Sequence, residues 1–253
     1  MSGSATPDPD AAAHVFVADL DEPRLDPPDR HHLVEVRRLR PEETVTASDG
    51  SGQWRPCRLS SGELVPCGGV VRVESPRPAL TVAIALTKGG RVEVAVQKLT
   101  ELGIDRVVPF VAARSVARWP EHGADRRLQR LRRVAREAAM QSRRATVPQV
   151  APLTDFATVA ALPGAALAER RGEPPTLGRA VLLVGPEGGW APEELAQGLP
   201  RVDLGPQVLR AETAAIAGAA LLVGLRAGVV ASVCTPGRAH PGVGRGASTQ
   251  GAE

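Results

Sequence analysis

VLLVGPEGGW at residues 181–190 and LGPQVLRAETAA at residues 204–215 decide how this 253-residue chain is read. The first string opens on four apolar residues, breaks at Gly185-Pro186, and runs into Pro192, Glu193 and Glu194, the pattern of a buried strand, a loop and a helix start. The second leaves a short strand expected at 202–204 and enters a helix expected over 211–226. Glycine lets a backbone adopt positive φ and approach a ligand closely, and proline stiffens that approach. Taken singly, each loop is also what a plain strand-to-helix turn requires, and Glu212 and Thr213 are also what capping of a first helical turn requires. Neither loop is GxGxxG, and neither is the phosphate loop GxxxxGK followed by Ser or Thr.

Upstream of these loops, strand and helix patterns alternate. Strands are expected at 81–86, 106–111, 165–168 and 181–184. One helix carries Val92, Ala95, Val96, Leu99 and Leu102 at helical spacing and closes at Gly103, and a long one spans 125–144. Such alternation implies a mostly parallel sheet covered by helices, with ligands beyond the carboxyl ends of the strands. Residues 14–74 read differently: short strands at 14–17, 44–48, 54–60 and 70–74, a tight turn at Asp49-Gly50-Ser51-Gly52, and a helix between Pro28 and Leu39. This predicts a small β-barrel over 13–75, and Ser75-Pro76-Arg77-Pro78 marks the boundary to a second domain over 79–231. The ends, 1–12 and 232–253, are rich in Gly, Pro, Ala and Ser without apolar periodicity, so disordered tails are expected there.

A hydrophobic fraction of 43% suits a soluble globular fold, no apolar run is long enough to span a membrane, and residues 1–10 are acidic and Pro-rich rather than signal-like. A cytoplasmic protein without a membrane partner is expected. Cys57, Cys67 and Cys234 are odd in number, lack CxxC spacing and never pair with the five histidines at ligand intervals, which disfavours disulfides and a metal site. The net charge of +3 is modest, but nearly all basic residues are arginine, lysine occurring only at Lys88 and Lys98. Arginine suits bidentate phosphate contacts; a coding bias toward arginine explains the same count. Six aromatic residues, none of them tyrosine, argue against a base-stacking platform.

GPEGG followed by LGPxxLRAETA resembles the SPOUT class of methyltransferases, and within it the family that methylates N3 of a uridine in 16S ribosomal RNA of the small subunit. Lys88-Gly89-Gly90-Arg91, residues 97–103, Pro109, Arg114-Ser115, residues 141–144 and Pro148 follow in that family's order, and residues 32–39 with the Asp49-Gly50 turn resemble its PUA-like barrel. The similarity covers about residues 14–228. It implies an α/β methyltransferase domain tied in a trefoil knot, a homodimer with sites at its interface, and S-adenosyl-L-methionine as cofactor. The cofactor would be held at Val184, Gly185, Glu187, Gly188, Gly189, Leu204, Gly205, Leu209, Arg210, Thr213 and Ala214. Ala211, Ala214, Ala215, Gly218 and Ala219 form a small-residue face that fits either the dimer seam or packing inside one subunit. Three positions depart from the family pattern: Gln207, Arg143 and Ala191, the last where a hydroxyl residue often caps the helix.

Methyl transfer from a sulfonium to a protonated ring nitrogen needs that proton removed and the resulting charge stabilised. Arg144, Arg210 and Glu212 are the candidates for that chemistry, Glu212 ordering the pocket or assisting proton removal. RNA contacts are expected at Lys88, Arg114, Arg143, Arg37 and Arg38 and on the cationic helix face of Arg126, Arg130 and Arg133, the partner being ribosomal RNA within the small subunit. Two other outcomes remain open: a related enzyme acting on transfer RNA or on a ribose 2′-oxygen, and a non-catalytic ribosome-assembly factor.

Overall fold

The computed structural model of the chain describes residues 6–231. The tail expected over 232–253 lies outside them, as do residues 1–5. Residues 6–12 lie along the first sheet: Ala11 is buried, and the Ala12 N–H donates to Thr44 O at 2.7 Å.

The described residues form two sheets. The first has five strands: β1 (Ala13–Phe16), β2 (Thr44–Ser48), β3 (Gln53–Ser60), β4 (Glu63–Pro66) and β5 (Val71–Arg72). They pair β1-β2-β3-β4, with β5 also on β3, and only β1 and β2 run parallel. Helix α1 (Pro27–His31), continued by a wider turn over His32–Val36, covers a core of Val15, Leu33, Val45 and Cys57. Asp49 makes the predicted hairpin turn by accepting the N–H groups of Ser51 and Gln53, at 2.7 and 3.0 Å.

The second sheet is parallel throughout, in the order β12-β10-β11-β6-β7-β8, with β9 also on β7. Its strands are β6 (Thr81–Ala85), β7 (Arg106–Val111), β8 (Gln149–Val150), β9 (Thr154–Asp155), β10 (Ala165–Glu173), β11 (Val181–Val184) and β12 (Arg201–Val202). Every residue of β6 and β11 is buried, which is why both read as continuous apolar runs: they are covered on both faces. Helices α2 (Arg91–Leu102), α3 (Ala124–Gln141) and α6 (Ala211–Arg226) pack on one face, and the short α4 (Phe156–Ala160) and α5 (Pro192–Leu195) pack against Ala83, Ala85, Val108 and Phe110 on the other. Gly103 ends α2 in the left-handed conformation, φ 105°, and its N–H returns to Leu99 O and Thr100 O.

The small-residue face of α6 packs inside the subunit. Ala211, Ala215, Gly218 and Ala219 are all buried, and a Cβ added at Gly218 would lie 2.2 Å from Leu182 Cδ2. Of the two uses open to that face in the sequence, the intramolecular one holds.

The loop after α3 joins the two sheets. Ser48 Oγ donates to Ala145 O at 2.8 Å, the Gly52 N–H to Ala145 O at 3.1 Å, and the Val147 N–H to Gly50 O at 3.0 Å. His14 is buried in this seam, its Nε2 2.9 Å from Arg144 O and its Nδ1 2.7 Å from Thr46 Oγ1. A neutral ring serves both contacts by donating from Nε2 and accepting at Nδ1. Burial drives its pKa down from 6.5 to about 4. Between those values the unfolded chain binds a proton that the folded chain refuses, so stability falls as pH drops from 6.5 toward 4 and this contribution levels off below. The full loss is about 3 kcal/mol. Urea unfolding at pH 7.5 and 4.5 is expected to show a steeper acid loss in the wild type than in His14→Gln; equal slopes would disprove the linkage.

Candidate functional site

The carboxyl ends of β10 and β11 and the loop after β12 enclose a cleft of about 210 Å³. Val184, Leu204, Leu209, Ala211 and Ala214 give it an apolar floor, and Gly185, Pro186, Glu187, Gly189 and Gly205 line its sides. The two loops singled out in the sequence therefore meet in one place. Among the expected cofactor residues, Gly188, Arg210 and Thr213 do not line the cleft, although each neighbours one that does.

The first loop is fixed by Trp190. Its ring stacks on Phe110, with centroids 6.3 Å apart and planes 11° from parallel, and its Nε1 donates to Ala168 O at 3.1 Å. Gly185 passes beneath the indole, where an added Cβ would sit 3.1 Å from Trp190 Cε2. Asp203 fixes the second loop by accepting the N–H groups of Gly205 and Arg171, each at 2.9 Å. Gly189 and Gly205 have φ of 70° and 127°, and a Cβ at either would meet nothing within 4 Å. Both glycines thus serve a left-handed backbone rather than close packing.

Glu194 explains how Ala191 is tolerated at the start of α5. Its carboxylate, 3% exposed, accepts the Ala191 N–H at 2.8 Å and the Ala113 N–H at 2.9 Å, capping the helix from within and tying it to the segment after β7. The missing hydroxyl cap is thereby offset.

Ala168, Glu169, Arg170 and Asp203 also line the cleft and were not expected there. The available clue was the rule that ligands sit beyond strand carboxyl ends, applied to β10. Charged Glu169, Arg170 and Arg171 instead made that strand look finished at Ala168.

Arg91 was missed as well. It opens α2 and reaches across the rim, its Nη1 2.6 Å from Glu187 Oε1 and its Nε 3.8 Å from Glu212 Oε1. The second carboxylate oxygen, Glu212 Oε2, is shut off from solvent without a hydrogen-bond partner among the described residues. Leaving a buried acceptor unmatched costs about 1–3 kcal/mol, so such an atom marks a place where a ligand donor is wanted. Arg210 caps α6 with its backbone while its side chain stays exposed beside the cleft. Arg114 Nη1 donates to Gly188 O at 3.1 Å, and an added Cβ at Gly188 would make a tight 3.3 Å contact with Arg114 Cβ.

Arg144 stands apart from the cleft. Its Nη1 donates to Thr100 O at 2.7 Å and Ile104 O at 3.0 Å, its Nη2 lies 3.4 Å from Thr146 Oγ1, and Asp105 acts on its charge. Those groups lie at the amino ends of β6 and β7, the end of the sheet away from the cleft. Arg144 ties the loop after α3 to the end of α2 and does not join Arg210 and Glu212. Arg143 sits at the same far end, in the left-handed conformation with φ 55°, its Nη1 2.9 Å from Asp8 O. Arg126, Arg130 and Arg133 are exposed along α3 as expected, Arg130 lying 3.4 Å from Glu93 Oε1. Arg136 instead turns to the first sheet, pairing with Asp29 at 2.8 Å and covering the Phe16 ring. Arg37 and Arg38 are exposed after α1, and Lys88 is exposed beyond β6.

A parallel sheet with paired glycine loops at its carboxyl edge, joined to a small accessory sheet, places the chain in a class: the RNA methyltransferases with a PUA-like domain. Residues 73–223 match the family described as RNA methyltransferase domain, and residues 25–64 the one described as RNA methyltransferase PUA domain. The ribosomal RNA small subunit methyltransferase E of Mycobacterium bovis is 38% identical over 82% of this chain and 85% of its own. A probable rRNA-methyltransferase from Porphyromonas gingivalis superposes with a TM-score of 0.72, at 28% identity over 86% of this chain and all of that one. The Neisseria gonorrhoeae ribosomal RNA small subunit methyltransferase E, solved bound to S-adenosyl methionine, gives 0.68 at 27% identity over 84% and 97%. The chain belongs to the ribosomal RNA small subunit methyltransferase E family.

Proposed function

We propose that this chain transfers a methyl group from S-adenosyl-L-methionine to N3 of a uridine in 16S ribosomal RNA of the small subunit. The observation that carries the proposal is a two-loop cleft with a buried carboxylate oxygen beside it that has no partner among the described residues. An apolar floor flanked by backbone amides and carbonyls suits a purine ring, and Glu169, Glu187 and Asp203 at the walls suit hydroxyls and a cationic sulfonium. Val184, Gly185, Gly189, Leu204, Gly205, Leu209 and Ala214 would hold the cofactor, which supplies an electrophilic methyl group. Gly188 and Thr213 would shape the two loops from behind.

Uracil N3 carries a proton before reaction and has none to spare after it. Glu212 Oε2 is the acceptor positioned to take that proton, and Arg91, lying over Glu212, moves aside to admit the base. Arg210, exposed at the cleft edge, stabilises the negative charge left on the uracil carbonyls. Arg114, Lys88, Arg126, Arg130 and Arg133 present cations at or near the same end of the sheet for phosphates, and Arg37, Arg38 and Arg143 extend that contact along the first domain.

The proposal includes a trefoil knot in the segment leading into α6, domains divided near residues 75–79, cytoplasmic residence and a homodimer. Val208 at the cleft and Val116 nearby are 79% and 73% exposed, apolar surface that a second copy would cover. Small subunits lacking the modification, incubated with protein and labelled cofactor, are expected to take label at one uridine N3. Label on transfer RNA or on a ribose would overturn the assignment, and absence of cofactor binding by calorimetry would favour an assembly factor.

A further inference from the structure

Beyond the carboxyl end of β6, across Arg91 from the cofactor cleft, lies a second cleft of about 270 Å³. Thr87, Lys88 and Gly89 form one wall, and Arg118, Trp119 and Arg127 the other. Three cations face one carboxylate, Glu93, and that carboxylate is drawn outward to Arg130 at 3.4 Å. Lys88 and Arg127 make no hydrogen bond or ion pair among the described residues, so their charges are available. Arg118 is held in place by donating from Nη1 to Ser115 O at 2.5 Å.

Two further features point to an anion. Gly89 and Gly90 both have positive φ, 75° and 73°, and lead into the first turn of the twelve-residue α2, whose opening amides are directed out of the helix end. Thr87 Oγ1, beneath Lys88, is shut off from solvent and has no hydrogen-bond partner among the described residues. A hydroxyl and helix-end amides below two unpaired cations make a donor-rich floor, and the Trp119 ring gives the cleft a flat side on which a base can stack.

We propose that this cleft seats the RNA phosphodiester next to the methylated uridine, its oxygens held by Lys88, Arg127 and the first amides of α2, with the flanking base against Trp119. The proposal rests on the RNA methyltransferase assignment and adds to it a defined site for the substrate backbone. Its position explains how a uridine reaches Glu212: a phosphate anchored on one side of Arg91 places the neighbouring base over that residue, at the edge of the cofactor cleft.

The test uses the full chain and an unmodified small-subunit RNA transcript in filter binding over a salt series. Wild-type protein is expected to bind in a salt-dependent manner. Lys88→Ala with Arg127→Ala is expected to weaken binding about tenfold and to flatten the slope of log affinity against log salt by about 0.7, one single-strand phosphate contact's worth. Lys88→Arg with Arg127→Lys is expected to restore most of both. Cofactor affinity by calorimetry and the thermal midpoint stay at wild-type values, because both side chains are exposed. Trp119→Ala is expected to weaken binding further and Trp119→Phe to preserve it. Wild-type affinity and slope in the double alanine variant would overturn the cleft assignment alone. Absence of RNA binding by the wild type would overturn the underlying enzyme assignment and this one with it.

Discussion

Replacing Glu212 with glutamine is expected to lower kcat about 100-fold at neutral pH, the usual range for loss of a positioned proton acceptor. The substitution keeps the side chain's shape, and calorimetry should return the wild-type affinity for S-adenosyl-L-methionine, because Glu212 does not line the cofactor cleft. Two properties of the carboxylate underlie the expectation. Oε1 faces Arg91 Nε at 3.8 Å, and Oε2 is buried without a donor among the described residues. Glutamine removes the charge opposite Arg91 and offers an amide where a proton must be received. The pH dependence separates proton removal from mere ordering. If Glu212 takes the N3 proton, the variant's kcat climbs toward alkaline pH as the uracil ionises into solvent instead. If Glu212 only holds Arg91, the variant keeps the wild-type profile at a lower level. Undiminished transfer at neutral pH would remove Glu212 from the mechanism.

Much of the architecture was legible because burial on two faces leaves an unmistakable record. The fully buried β6 and β11, the apolar stripe of α2 ending at Gly103 and the span of α6 all follow from residues that face the core. Less legible were elements whose residues answer to something other than the core. β8 and β9 are two residues each, too short for any periodicity, and α4 is announced only by Asp155 accepting the Thr158 N–H. β10 continues through Glu169-Arg170-Arg171 because its far half lines the cleft and pairs with β12 through a shifted register, so its polarity reflects an open cleft wall rather than a loop.

The site divides the same way. Backbone-built parts, the glycine loops, were marked by their pairing, since each alone is also what a plain strand-to-helix turn requires. Contacts between distant side chains were not. Arg91 lies 96 residues from Glu187 and Glu194 lies 81 from Ala113, and nothing local in the chain couples such pairs. Arg144 shows the converse: it stands within a matched string, but its side chain ties the loop after α3 to the end of α2 rather than lining the cleft.

Arg144→Ala is accordingly expected to destabilise the protein by about 3 kcal/mol while sparing catalysis in the molecules that remain folded. The wild-type guanidinium satisfies two carbonyls at the end of α2, Thr100 O and Ile104 O, and its own backbone carbonyl accepts from His14. Truncation leaves Ile104 O short of a donor and Thr100 O with the Gly103 N–H alone, opens a void between the end of α2 and the loop that joins the two sheets, and leaves Asp105 paired with Arg226 among the described residues. In a chain of this size the thermal midpoint should drop by about 6–12 °C. Lysine in its place retains the charge but not the two-pronged geometry, so Arg144→Lys should recover only part of the loss. Burial lowers the arginine's pKa and Asp105 opposes that shift, so the site tolerates a cation because a carboxylate stands nearby. Measured below the lowered midpoint, methyl transfer per folded molecule should match the wild type. A variant with an unchanged midpoint and a hundredfold loss of transfer would return Arg144 to the reacting base and show that the far end of the sheet meets the substrate.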